Sequence, residues 1–82
     1  MRLARLDNLN EMWELKRLYG INFVGVLKGY KYYKFIDNNI VKINEENVIK
    51  ILNLNNATEL RLIIAAMYFE TSSAMYFETS ED

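Results

Sequence analysis

Cysteine, histidine and proline are all missing from this chain, and glycine occurs only three times. Without cysteine there is no disulfide to staple a small core and no thiolate to hold a metal, and redox chemistry says nothing about compartment. Without histidine, the commonest general base and the commonest imidazole metal ligand are gone as well. Gly20, Gly25 and Gly29 have neither the spacing nor the strand-to-helix context of a phosphate-binding loop. The serines fall only near the C-terminus and have no partner base. The adjacent carboxylates Glu45 and Glu46 diverge on a helix and read as charge at its N-terminus. This inventory points away from an enzyme, and no cofactor or metal is expected.

Long apolar runs are also absent. The longest, residues 62–69, is far short of the roughly twenty residues that span a bilayer, so no membrane association is expected. Residues 1–6 alternate arginine with leucine and lack the apolar core of a signal peptide, which makes cytoplasmic the default expectation.

What is present is enough to fold. Of the 82 residues, 51% are hydrophobic and 26% are charged, a composition outside the disordered range. A single domain of this length is near the lower limit for one core, and association between copies is a natural supplement. The net charge of −1 hides a split: residues 1–34 carry seven basic and three acidic side chains, and residues 35–82 carry three basic and eight acidic. Such a bipolar chain can self-associate or offer a basic face to an acidic partner. The abundance of Asn, Ile, Lys and Tyr fits AT-rich codons, hence a low-GC genome or a mobile element.

Periodicity predicts a helix first. Asp7 or Asn8 can cap it, Lys16 and Arg17 complement its last turn, and Gly20 stops it. Leu9, Met12, Trp13, Leu15, Leu18 and Tyr19 form a broad apolar stripe, which assigns Trp13 to the core, and Leu3 and Leu6 extend the stripe backwards. Residues 21–27, 30–36 and 40–43 read as strands, joined by turns at Lys28-Gly29 and Asp37-Asn38-Asn39. Gly25, inside the first of these, marks a bulge or a close approach by the helix. Asn44 caps a second helix, and Asn56 with Glu59 resembles a capping box for a third containing Leu60, Ile63, Ile64, Met67 and Tyr68. The fold expected is α+β: an N-terminal helix, a three-stranded antiparallel meander covered on one face, and two C-terminal helices with a repeated helical extension.

The extension is a duplication. Residues 66–72 and 74–80 both spell Ala-Met-Tyr-Phe-Glu-Thr-Ser. In a continuous helix a shift of eight residues rotates the second copy by roughly 80°. Residues 1–73 therefore read as the domain, and residues 74–82 as a helical extension or tail that overshoots the core. An exposed Met-Tyr-Phe cluster usually finds a partner, so Met67, Tyr68, Met75, Tyr76 and Phe77 are the candidate oligomer interface.

The leading functional expectation is a small non-enzymatic protein-binding module, an inhibitor or adaptor acting by surface occupation, that self-associates through its C-terminal helix. Its partner would be an unidentified protein. The alternative is a nucleic-acid-binding regulator using the basic aromatic strand 28–35. There Lys28, Tyr30, Lys31, Tyr32 and Lys34 are the candidate contacts, supported by Arg2, Arg5, Lys16 and Arg17. Strand alternation sends Tyr30, Tyr32 and Lys34 to one face and Lys31, Tyr33 and Phe35 to the other, so the lysines do not share a face.

Overall fold

A computed structural model of the chain describes residues 1–69 and 76–78. The elements run β1 (Arg2–Arg5), α1 (Glu11–Tyr19), β2 (Phe23–Leu27), β3 (Lys31–Ile36), β4 (Asn39–Ile43), α2 (Glu45–Ile51), α3 (Ala57–Phe69) and β5 (Tyr76–Glu78). One mixed sheet holds the strands in the order β4-β3-β2-β1-β5. β1 and β2 are parallel, with Leu3 opposite Val24 and Arg5 opposite Val26, while the remaining pairs are antiparallel.

The helix-first expectation is overturned. A strand precedes α1, and the meander β2-β3-β4 is only part of a mixed sheet. Leu3 and Leu6 do not continue the helical stripe. Leu3 and Ala4 point to opposite faces of β1 and both are buried, as alternation in an interior strand requires. The one-sided cover is corrected too, because helices lie on both faces. Leu3, Val24, Val26 and Tyr32 pack with Val48 and Leu52 from the α2 segment and with Leu60, Ile64 and Met67 of α3. On the opposite face Ala4, Leu6, Phe23 and Phe35 pack against Met12 and Leu15 of α1. The expected repeated helical extension at the C-terminus is likewise corrected at Tyr76–Glu78, which form a strand antiparallel to β1. Met75 and the rest of the second copy lie outside the described residues.

Local chemistry explains where elements start and stop. Asn44 caps α2 through a reciprocal pair: its Oδ1 accepts from Asn47 N at 2.8 Å, and Asn47 Oδ1 accepts from Asn44 N at 3.2 Å. α2 is closed by Asn53, two residues past Ile51 and in the left-handed region (φ 57°), with Leu54 N donating to Ile49 O and Asn53 N to Lys50 O, a Schellman closure. Asn56 Oδ1 accepts from Glu59 N at 2.9 Å, while Glu59 returns its carboxylate to Asn55 N. Asp37 and Asn38 both take positive φ, the requirement of a tight hairpin turn. α1 starts a turn later than Asp7 or Asn8 would give: Asn8 Oδ1 holds Asn10 N, and Glu11 reaches back to Asp7 N.

Gly25 decides how closely α1 sits. A Cβ at this position would lie 2.6 Å from both Leu6 Cδ1 and Met12 Sδ. The close-approach reading of Gly25 therefore holds, and α1 rests on the sheet where the side chain is missing.

Candidate functional site

Two surfaces carry chemistry, one on each side of the sheet. The first is the outward face of α1. Met12 and Leu15 face the core, which leaves Asn10, Trp13, Glu14, Arg17 and Leu18 at helical spacing toward solvent. Trp13 is 48% exposed and Leu18 67%. Five of the eight exposed large hydrophobics among the described residues fall between Leu9 and Ile21. The placement of Trp13 in the core is thus corrected: its ring packs edge-on against Phe35, with centroids 4.9 Å apart, and its remaining surface faces water. Lys16 clamps that ring. Its ammonium lies 5.5 Å from the Trp13 centroid and 5.2 Å from that of Phe35, and it donates to Asn38 Oδ1 at 2.8 Å. The indole is held in place before anything binds.

The second surface is a cleft where the parallel strands β1 and β2 end. The turn after β2 supplies Lys28, Gly29 and Tyr30, and α3 supplies Ile64, Ala65 and Tyr68, around a space of about 380 Å³. An adjoining space of about 420 Å³, sharing Lys28 and Tyr68, extends to Arg5, Leu6 and Asp7. Gly29 and Tyr30 both take positive φ (93° and 60°), which turns the chain so that Tyr30 comes over α3. There the Arg61 guanidinium lies 5.6 Å from the Tyr30 ring and is fixed by Glu45, with Nε to Oε2 at 3.0 Å. Tyr68 crosses both strand ends, its hydroxyl donating to Val26 O at 3.0 Å and Leu6 O at 3.4 Å. Burial raises the Tyr68 pKa above the usual tyrosine value, with the Arg5 charge opposing. Arg5 lies 4.8 Å over the Tyr68 ring and 3.5 Å from Asp7.

The strand expected to contact nucleic acid is divided by the sheet. Lys28 and Tyr30 stand at the cleft. Lys31 pairs with Leu27 on the α1 side and is exposed. Tyr32 is buried in the core on the other side, its hydroxyl without a hydrogen-bond partner among the described residues. Lys34 is turned to the backbone, donating to Ile21 O at 3.2 Å, and desolvation lowers its pKa. Of the interface candidates, Met67 is in the core and Tyr68 lines the cleft. Tyr76 and Phe77 belong to β5, and Met75 lies outside the described residues. Sequence alone offers Arg5 only as supporting charge and leaves Arg61 without a role. No local signal could bring them together, because they meet through the β1–β2 pairing and the packing of α3 on the sheet.

Among the described residues, no group of three or more carboxylates stands where it could hold a metal ion, and no helix is long and apolar enough to cross a membrane. Comparison with protein-family models, with curated proteins and with solved structures finds no match to this chain.

Proposed function

We propose that the chain is a non-enzymatic protein-binding module, and that the outward face of α1 joins two copies of it. The observation that carries this reading is the exposed apolar surface on and beside α1, between Leu9 and Ile21, with a tryptophan already held by Phe35 and Lys16. Pre-ordered tryptophans are the usual anchors of protein interfaces. The charge order on the helix selects a second copy as the occupant. Glu11 and Glu14 precede Lys16 and Arg17, so two α1 helices packed antiparallel about a two-fold axis bring Glu14 near the partner's Arg17, with Trp13 on one flank of the contact and Leu18 on the other. An isologous contact of this kind closes on itself and stops at a dimer. The ion pairs add little individually, and the apolar contacts supply most of the affinity. With so short a helix the area buried sits at the small end for a stable interface. Pairing through α1 leaves the α2–α3 layer of both copies facing outward, as an inhibitor or adaptor working by surface occupation needs.

Sedimentation equilibrium tests the proposal. The full chain should show a concentration-dependent mass approaching twice the monomer. Leu18→Glu, at a position that contributes little to the core, should remain folded and monomeric. A chain ending at Ser73 should still dimerise. If Leu18→Glu dimerises normally while the truncated chain does not, the interface belongs to the C-terminal copy of the repeat and not to α1.

A further inference from the structure

The cleft on the α2–α3 side is not used by that dimer, and it has an uneven chemistry of its own. Its floor is apolar, formed by Ile64 and Ala65, and two tyrosines stand at its edge. Its lining includes the cations Arg5 and Lys28, and Arg61 stacks on Tyr30 beside it; Asp7 pairs with Arg5, Glu45 with Arg61, and the Glu11 carboxylate stands at Asp7 N. The arginines are therefore oriented, and Lys28 stands between the two spaces as a cation common to both. An apolar floor needs a ligand with a flat hydrophobic face, tyrosine rings and stacked guanidinium groups favour an aromatic one, and the rim needs an anion. The adjoining spaces of about 380 and 420 Å³ are each the size of a small-molecule site. Their position at the carboxyl ends of two adjacent parallel strands is where open sheets with parallel strands commonly hold ligands.

We propose that this cleft binds a nucleotide unit, its base lying on Tyr30 and the Ile64–Ala65 floor and its phosphate meeting Lys28 and Arg5. The same chemistry is offered by a free nucleotide and by one residue of a single strand. In either case the contact is sequence-tolerant, because every base has a face to stack and the phosphate is read by charge alone. The candidate lysines of the β2–β3 region then act unequally: Lys28 contributes, whereas Lys31, on the opposite face of the sheet, does not.

The test is a titration of isotopically labelled full-length chain, followed by backbone amide shifts, with adenosine monophosphate, a short oligodeoxythymidylate and inorganic phosphate as separate probes. Nucleotide and oligonucleotide should move Lys28, Gly29, Tyr30, Ala65 and Tyr68, with binding that weakens as salt rises. Tyr30→Asn removes the ring while tolerating the left-handed turn, and should weaken binding by about tenfold or more. Lys28→Gln should weaken it as well, and Lys31→Gln should leave it unchanged. Tighter binding of the oligonucleotide identifies a single strand as the source, and equal binding identifies the free nucleotide. Equal affinity for inorganic phosphate, equal loss from Lys31→Gln, or no shift at the cleft residues would each overturn the proposal. Arg5 borders a pocket that Leu18 also lines, whereas Lys28 does not, so Lys28→Gln should weaken nucleotide binding and leave the sedimentation mass unchanged, and the two proposals fail separately.

Discussion

Tyr32 carries its hydroxyl into the core beneath α2 and α3, where none of the described residues receives it. Burial pushes its pKa up to about 12, and the nearby Glu45 carboxylate adds to the effect. In the unfolded chain the same group ionises near its ordinary value of about 10. The folded state therefore retains the proton more firmly between these values, and stability falls as pH rises from about 10 towards 12. A spectroscopic titration of tyrosinate should reveal one ring ionising about two units late. Tyr32→Phe should remove that late step and raise stability by roughly 1 kcal/mol, because a buried hydroxyl without a partner is a net cost. A clear loss of stability would mean that the hydroxyl is bonded after all. Gly25 tests packing rather than polarity. Gly25→Val overfills the space between Leu6 and Met12 and should cost about 1–3 kcal/mol in a denaturant titration. Gly25→Ala should cost less, since both contacts are with side-chain atoms that can shift.

Among the elements, those whose ends are set by their own residues are legible from the sequence alone. Asn44 and Asn47 close α2 reciprocally, and Asp37-Asn38 turns between β3 and β4 at positive φ, because these short polar side chains bond the nearby backbone and tolerate that conformation. Replacing the cap by Asn44→Ala should destabilise the protein by about 1 kcal/mol, read from the thermal unfolding midpoint. The start of α1 is less legible, since Asp7, Asn8 and Asn10 can each serve and Glu11 reaches back over the turn. β5 cannot be read from sequence at all. Residues 66–69 belong to α3 and residues 76–78 to a strand, although the same word spells both. Propensity is identical in the two copies. Only β1, whose edge receives Tyr76–Glu78, tells them apart.

For the whole molecule, the deciding feature is the parallel pair β1–β2. It sets Leu3 and Leu6, near the chain's first residue, fully inside the core. Leu3→Ala should therefore cost about 2–5 kcal/mol, a large share of the stability of a domain this small. A chain whose N-terminus merely extended a helix would lose far less, so chemical denaturation of this variant separates the two folds. The same pairing creates the cleft, because it aligns the ends of β1 and β2 beneath Tyr68 and brings Arg5 to the side of Lys28. By itself the sequence determined that the chain folds, where most helices cap and hairpins turn, that Gly25 marks either a bulge or a close approach, and that histidine and cysteine chemistry is excluded. These depend on composition and on contacts a few residues apart. Only the tertiary structure decided that a strand comes first, that helices cover both faces, that Trp13 looks outward, and that Arg5, Lys28, Tyr30 and Tyr68 line adjoining spaces with Arg61 stacked on Tyr30. Each of these depends on pairing or packing between distant segments, which local propensity does not encode.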